Sequence, residues 1–159
     1  MQMFDASSMI YAWDNYPIQQ FPGLWEWMAS QIQRGMLAMS SIAIEEVEKK
    51  TPECGEWLIA VELRHFEINN AVLAESLRIK ELLSIVADKY GKGVGENDLL
   101  IIATARIAYA EMVSDEKRQN ILPAALYNYK IPAVCGLLEV AVPCINFVEY
   151  IKRSQQIFR

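Results

Sequence analysis

The chain has 159 residues, 53% hydrophobic and 22% charged, which fits one compact domain and excludes disordered, collagenous and mucin-like chains. Fifteen Lys and Arg against twenty Asp and Glu leave a net charge of −5. Bulk charge therefore cannot hold nucleic acid, although a local basic rim around an acidic site stays compatible with this balance. Three cysteines (Cys54, Cys135, Cys144) without a C-x-x-C pair argue against a disulfide framework or a cysteine-built zinc site. They read as small buried apolar residues of a protein in a reducing cytoplasm. No stretch reaches the roughly 18 apolar residues of a membrane span. Asp5 also interrupts the apolar run that a signal peptide would need.

Residues 1–4 form a short apolar run that stops at Asp5, a first strand. Ser7 or Ser8 can cap a helix to about Trp13, and Pro17 to Pro22 make an irregular link. The spacing of Leu24, Trp27/Met28 and Ile32 predicts a helix from Pro22 that ends at Gly35. Residues 36–40 read as a second strand and 42–50 as a charged helix. After the Thr51-Pro52 interruption, two helical stretches run from Glu53 to about Tyr90. The loop GKGVGE leads to Asn97 as the cap of a helix beginning at Asp98, which feeds a third strand over 110–113. A helix near 131–140, a fourth strand over 142–145 and a closing helix complete the chain. Strands separated by helices imply parallel pairing through right-handed crossovers. The fold class is α/β, a single three-layer α/β/α sandwich around a small central parallel sheet.

In such sheets ligands gather at the carboxyl ends of the strands. Asp5 ends the first strand, Glu45 and Glu46 follow the second, and Asp115 and Glu116 follow the third. Asp98 opens a helix, where the helix terminus favours a carboxylate. Four acids from distant segments at one edge repel unless cations bind or protons are retained. Oxygen-only ligands without His or Cys suit Mg²⁺ or Mn²⁺. The residues alone leave a metal site and a solvated acidic surface both open.

The N-terminal MFDASSMI resembles the opening of PIN-domain nucleases, in which a strand ends in Asp followed by a small residue and Ser or Asn. The stretch DLLIIATA resembles that family's third acidic motif, and MVSDE resembles its fourth. The tail KIPAVCGLLEVAVPCINFVEYIKR is similar to that of a bacterial subfamily close to the VapC toxins. The resemblance implies a Mg²⁺- or Mn²⁺-dependent endoribonuclease that leaves a 5′-phosphate and a 3′-hydroxyl. It makes Asp5, Asp98 and one of Glu45/Glu46 the metal ligands, and counting against the family's pattern selects Glu46. The fourth ligand falls on Glu116, where the family usually has Asp, with Ser114 in place of the usual Thr and Asp115 beside it. Ser7 would orient Asp5. The family context further implies an RNA substrate, an antitoxin partner, a homodimer and the cytoplasm. A catalytically idle module used for protein interaction is the alternative.

Several features carry less. His65, the only histidine, lies far in sequence from every acid motif, which leaves no Ser-His-Asp or Cys-His machinery. The glycine run at 91–95 lacks the order of a phosphate loop and reads as a flexible approach to Asp98. Lys89, Lys92, Lys117 and Arg118 are candidate phosphate contacts. The aromatic-rich first third reads as core and dimer packing before a base-stacking platform. Glu45–Lys49 and Glu46–Lys50 are spaced for helical ion pairs.

Overall fold

A computed structural model describes residues 1–159. β1 (Gln2–Phe4) stops where Asp5 turns the chain into α1 (Ala6–Asn15). The cap of α1 is Asp5 itself, not Ser7 or Ser8: its Oδ1 accepts the Ala6 amide at 2.9 Å. Both serine hydroxyls are thereby released for bonds to distant segments. α2 (Pro22–Gln33) opens on a proline whose ring presets φ for a first helical turn. It ends at Gly35, whose φ of 70° lies in the left-handed region that favours glycine. The buried β2 (Leu37–Ser40) follows, and the Ser40 hydroxyl caps α3 (Ser41–Lys50) by accepting the Ile42 amide.

The stretch expected as two helices reaching Tyr90 holds α4 (Pro52–Ala60), a strand β3 (His65–Phe66) and α5 (Asn70–Leu82). Two ladder residues are too few to show a period, which is why the strand is invisible in the sequence. α6 (Glu96–Ile107) and β4 (Glu111–Val113) stand where expected. The Asn97 cap is corrected to Gly95, because Asp98 in the first turn reaches back and accepts the Gly95 amide. A 3₁₀ turn at Leu126–Asn128 precedes α7 (Ile131–Cys135), which is shorter than the helix expected over 131–140. Gly136 ends it, and the Val142 amide returns to the Cys135 carbonyl at 3.1 Å. β5 (Cys144–Ile145) and α8 (Phe147–Ser154) close the chain.

All four strand pairs are parallel, and the sheet order is β3-β2-β1-β4-β5. β1 is central. The chain first builds outward through β2 and β3, then returns to the other side for β4 and β5. The boundary between β1 and β4 is therefore the topological switch point, and its carboxyl edge is where such sheets open a crevice.

Alternation along β1 separates the two faces. Phe4 meets Phe147 and Tyr150 of α8 edge-on at 6.2 and 5.0 Å, and Trp27 of α2 packs on Tyr150 at 5.2 Å. Met112, the β4 neighbour of Met3, faces the other way and meets Cys135 of α7. Trp25 is buried between Trp13 and Trp57, and its indole N–H donates to the Tyr16 carbonyl at 2.7 Å. Edge-to-face pairs of this kind contribute about 0.5–1.5 kcal/mol each beyond area burial. The tryptophans thus join α1, α2 and α4 and do not form an open stacking platform. No helix is long and apolar enough to cross a membrane.

Candidate functional site

The carboxyl ends of β1 and β4 place Asp5 beside the segment Ser114–Asp115–Glu116. Asp5 is only 2% exposed. Its Oδ2 accepts from Ser7 Oγ at 2.6 Å and from Ser114 Oγ at 3.1 Å. Ser114 Oγ also accepts the Glu116 amide at 3.2 Å, so a single hydroxyl orients Asp5 and the backbone of Glu116. Asp98 enters from the first turn of α6, fixed by the Gly95 amide at 2.8 Å from its Oδ2. Glu46 enters from α3 and accepts from Asn97 Nδ2 at 3.4 Å. Glu45 lies on another face of α3, in a groove with Glu48, Leu63 and His65.

Electrostatics ties the four acids together. Burial pushes the Asp5 carboxyl up to about 6, helped by the negative charges of Asp98 and Glu116 and opposed by its serine donors. Burial likewise raises Asp98, with Glu116 and Glu46 as repelling neighbours; the Gly95 amide and Lys130 oppose the rise. Structure therefore gathers Asp5, Glu46, Asp98 and Glu116 into one field of mutual repulsion. No three His, Cys, Asp or Glu side chains close to metal-ligating distance, so the acids stand open.

The profile of the family described as a domain of unknown function (DUF4411) matches residues 2–158. The chain belongs to the DUF4411 family. Among solved structures, DNA-bound VapBC from Salmonella typhimurium is similar to this DUF4411 chain at 19% identity and a TM-score of 0.55. The match covers 92% of this chain and 97% of that one. VapBC2 from Rickettsia felis, bound to a DNA fragment from their promoter, is 21% identical with a TM-score of 0.49, over 72% of this chain and 86% of that one. A search of curated proteins finds no similar chain. The fold is PIN-like, the α/β class expected from the sequence.

The remaining candidates in the DUF4411 chain divide by what holds them. Asp115 turns away from Asp5: its Oδ2 accepts from Ser8 Oγ at 2.6 Å and from the Phe147 amide at 3.2 Å, which docks α8 onto α1. Ser7 Oγ accepts the Asp115 amide at 3.0 Å while donating to Asp5. Arg118 forms a two-pronged pair with Glu149 at 3.1 and 2.7 Å. Lys92 and Lys117 are exposed. His65 lies on the edge strand and pairs with Glu67 at 2.8 Å. Neither the Glu45–Lys49 nor the Glu46–Lys50 ion pair forms.

The glycine run is not a flexible approach. The Lys92 amide donates to Asn128 Oδ1 and the Val94 amide to the Tyr129 carbonyl, both at 2.9 Å. A Cβ on Gly93 would stand 2.1 Å from the Tyr129 oxygen, so glycine is required by close backbone approach. This docking holds the residue before Lys130, a cation that offsets the Asp98 charge. Lys130 and Asn97 are the site neighbours that sequence reasoning missed; Asn97 was read only as a cap. A lysine one residue before Ile131 carries no local signal of its partner.

The donor set fits a hard divalent cation. Mg²⁺ keeps several waters and takes only one or two protein carboxylates, so an open pair such as Asp5 and Asp98 suits it better than a closed cage. The Asp5 carboxyl is raised first by burial, and the charges of Asp98 and Glu116 add to the rise.

Proposed function

We propose that this DUF4411 chain is a Mg²⁺- or Mn²⁺-dependent endoribonuclease whose metal is held by Asp5, Glu46, Asp98 and Glu116. The observation that carries this reading is Asp5, buried at the switch point and raised to about 6 beside Asp98 and Glu116. A bound divalent ion would supply charge neutralisation and Lewis-acid activation for in-line displacement at phosphorus.

The chain's own residues prepare that chemistry. Ser7 and Ser114 fix the Asp5 oxygen, the Gly95 amide fixes Asp98, and Asn97 steadies Glu46. Lys130 tempers the negative field without neutralising it. Exposed Lys92 and Lys117 are available to phosphates of an RNA strand, whereas Arg118 must first leave Glu149. With His65 on the distant edge strand, no imidazole serves as general base.

The reading extends to a cytoplasmic toxin of a type II toxin–antitoxin pair, homodimeric and restrained by a protein partner. The fold shared with DNA-bound VapBC supports it. Expression in bacterial cells tests it: the native chain should arrest growth and cleave cellular RNA, and Asp98→Asn should do neither. Growth unaffected by both would contradict the toxin assignment.

A second reading is a catalytically idle PIN-like interaction module, favoured by Glu116 and Ser114 standing where the family pattern usually has Asp and Thr. Calorimetric titration with Mn²⁺ separates the two. Heat of binding lost in Asp5→Asn supports the nuclease, and no heat in the native protein supports the idle module.

A further inference from the structure

Three sulfur atoms converge on the face of the sheet opposite α8. Met112 of β4 and Cys144 of β5 are register partners, so their side chains leave the same face of neighbouring strands. Cys135 comes down onto that face from α7, with its Sγ 3.8 Å from Met112 Sδ. The Cys144 thiol lies beside that of Cys135, and the pair shifts in opposite directions, Cys135 holding its proton more tightly and Cys144 less. Met112 and Cys135 are buried, and Cys144 is partly open, which leaves a way in for a small ion.

We propose that Met112, Cys135 and Cys144 form a three-sulfur site for a soft monovalent cation, Cu(I) by chemical class. Two thiolates and a thioether are the donors that select Cu(I) over hard cations. Metal–sulfur bonds of about 2.3 Å place three sulfurs around a trigonal ion about 4 Å apart. The Met112–Cys135 separation of 3.8 Å already meets that spacing. A structural zinc site would need a fourth ligand, and no His, Cys, Asp or Glu cluster supplies one. Binding would displace the two thiol protons to solvent. The main chain already holds the ligands near this geometry through the Val142 amide on the Cys135 carbonyl and the β4–β5 ladder. The site uses none of the four acids as ligands, although the Asp5 charge reaches both thiols and opposes their ionisation.

The test is anaerobic titration of the reduced native protein against a coloured Cu(I)–bicinchoninate complex. The native chain should withdraw one equivalent of Cu(I). Cys135→Ser and Cys144→Ser should each weaken uptake more than about 100-fold, since even outer-shell partners change metal affinity by about 10–100-fold. Met112→Leu should weaken it less, and Cys54→Ser, in α4, should leave it unchanged. The copper-edge spectrum of the loaded native protein, which needs no variant, should show sulfur neighbours only. No withdrawal by the native chain, nitrogen or oxygen neighbours, or uptake by both cysteine variants equal to that of the native chain would overturn the proposal.

Discussion

Ser114 Oγ donates to Asp5 Oδ2 at 3.1 Å, joining residues 109 positions apart across the β1–β4 boundary. With Ser7 on the same oxygen and the Ala6 amide on the other, three donors hold a carboxylate in one orientation. They do not relieve it: burial still outweighs them, and the carboxyl stays raised to about 6. The carboxyl edge is therefore geometrically fixed and electrostatically strained, a combination suited to receiving a cation.

Asp5→Asn should stabilise the metal-free protein while abolishing metal binding. Raising the carboxyl from 3.8 to about 6 corresponds to at most about 3 kcal/mol of unfavourable charge at pH 7. Asparagine keeps an oxygen for the Ala6 amide, and the serine hydroxyls can rotate to accept from its nitrogen. Melting in EDTA should show a gain of about 2–4 °C for each kcal/mol recovered. An unchanged or lowered Tm would contradict the strain.

The same shift sets a pH dependence. The folded protein holds the Asp5 proton more tightly than the unfolded chain, so the stability this group contributes is fully present below about 4 and is lost as pH rises through about 6. Asp98 and Asp115 are raised by burial and act in the same direction. Glu75 and Glu149, held low by their arginine and amide partners, lose their contribution only at lower pH. Urea midpoints in EDTA should decline across this window, and Asp5→Asn should flatten the decline. Mn²⁺ affinity should rise over the same range, because protons compete for the ligand oxygens.

Asp115 and Glu116 are neighbours with separable roles. Asp115→Ala removes the acceptor for Ser8 and the Phe147 amide and should cost about 2 kcal/mol of stability, with Mn²⁺ affinity retained. Glu116→Gln should leave the melting temperature level or higher and weaken Mn²⁺ binding, because Glu116 repels both Asp5 and Asp98. Melting curves and calorimetry on both variants decide the assignment, and interchanged effects would reverse it.

Gly93→Ala should destabilise by about 2–4 kcal/mol, since its Cβ would collide with the Tyr129 backbone. Gly95→Ala is the control: its Cβ would meet only Asp98 Oδ2, at 3.9 Å. Denaturant unfolding should show the first effect and little of the second.

What was legible in the sequence is what is carried by contiguous residues. Strand-ending acids, prolines at helix starts and the glycine after α2 all announce themselves within a few positions, and they locate Asp5, Asp98 and the Ser114–Glu116 turn. The preference for Glu46 over Glu45 rests on the family pattern that the sequence resembles; Glu46 lies in the field of Asp98 and Glu45 in another groove. Hidden from the sequence were features made by distant partners. Lys130 meets the Asp98 field only after the 91–94 loop docks on residues 128 and 129. The capping role of Asp5 is masked by two serines that are themselves good caps but serve Asp115 and the other Asp5 oxygen. β3 was too short to declare a period.

The most direct test is cleavage of a labelled RNA mixture by the purified protein in Mn²⁺ or Mg²⁺, with parallel reactions in EDTA and with Asp5→Asn and Asp98→Asn. The account predicts cutting that needs the metal and disappears in both variants. Cutting that persists in EDTA or in either variant, or no cutting by a native protein that fails to bind Mn²⁺, would contradict it.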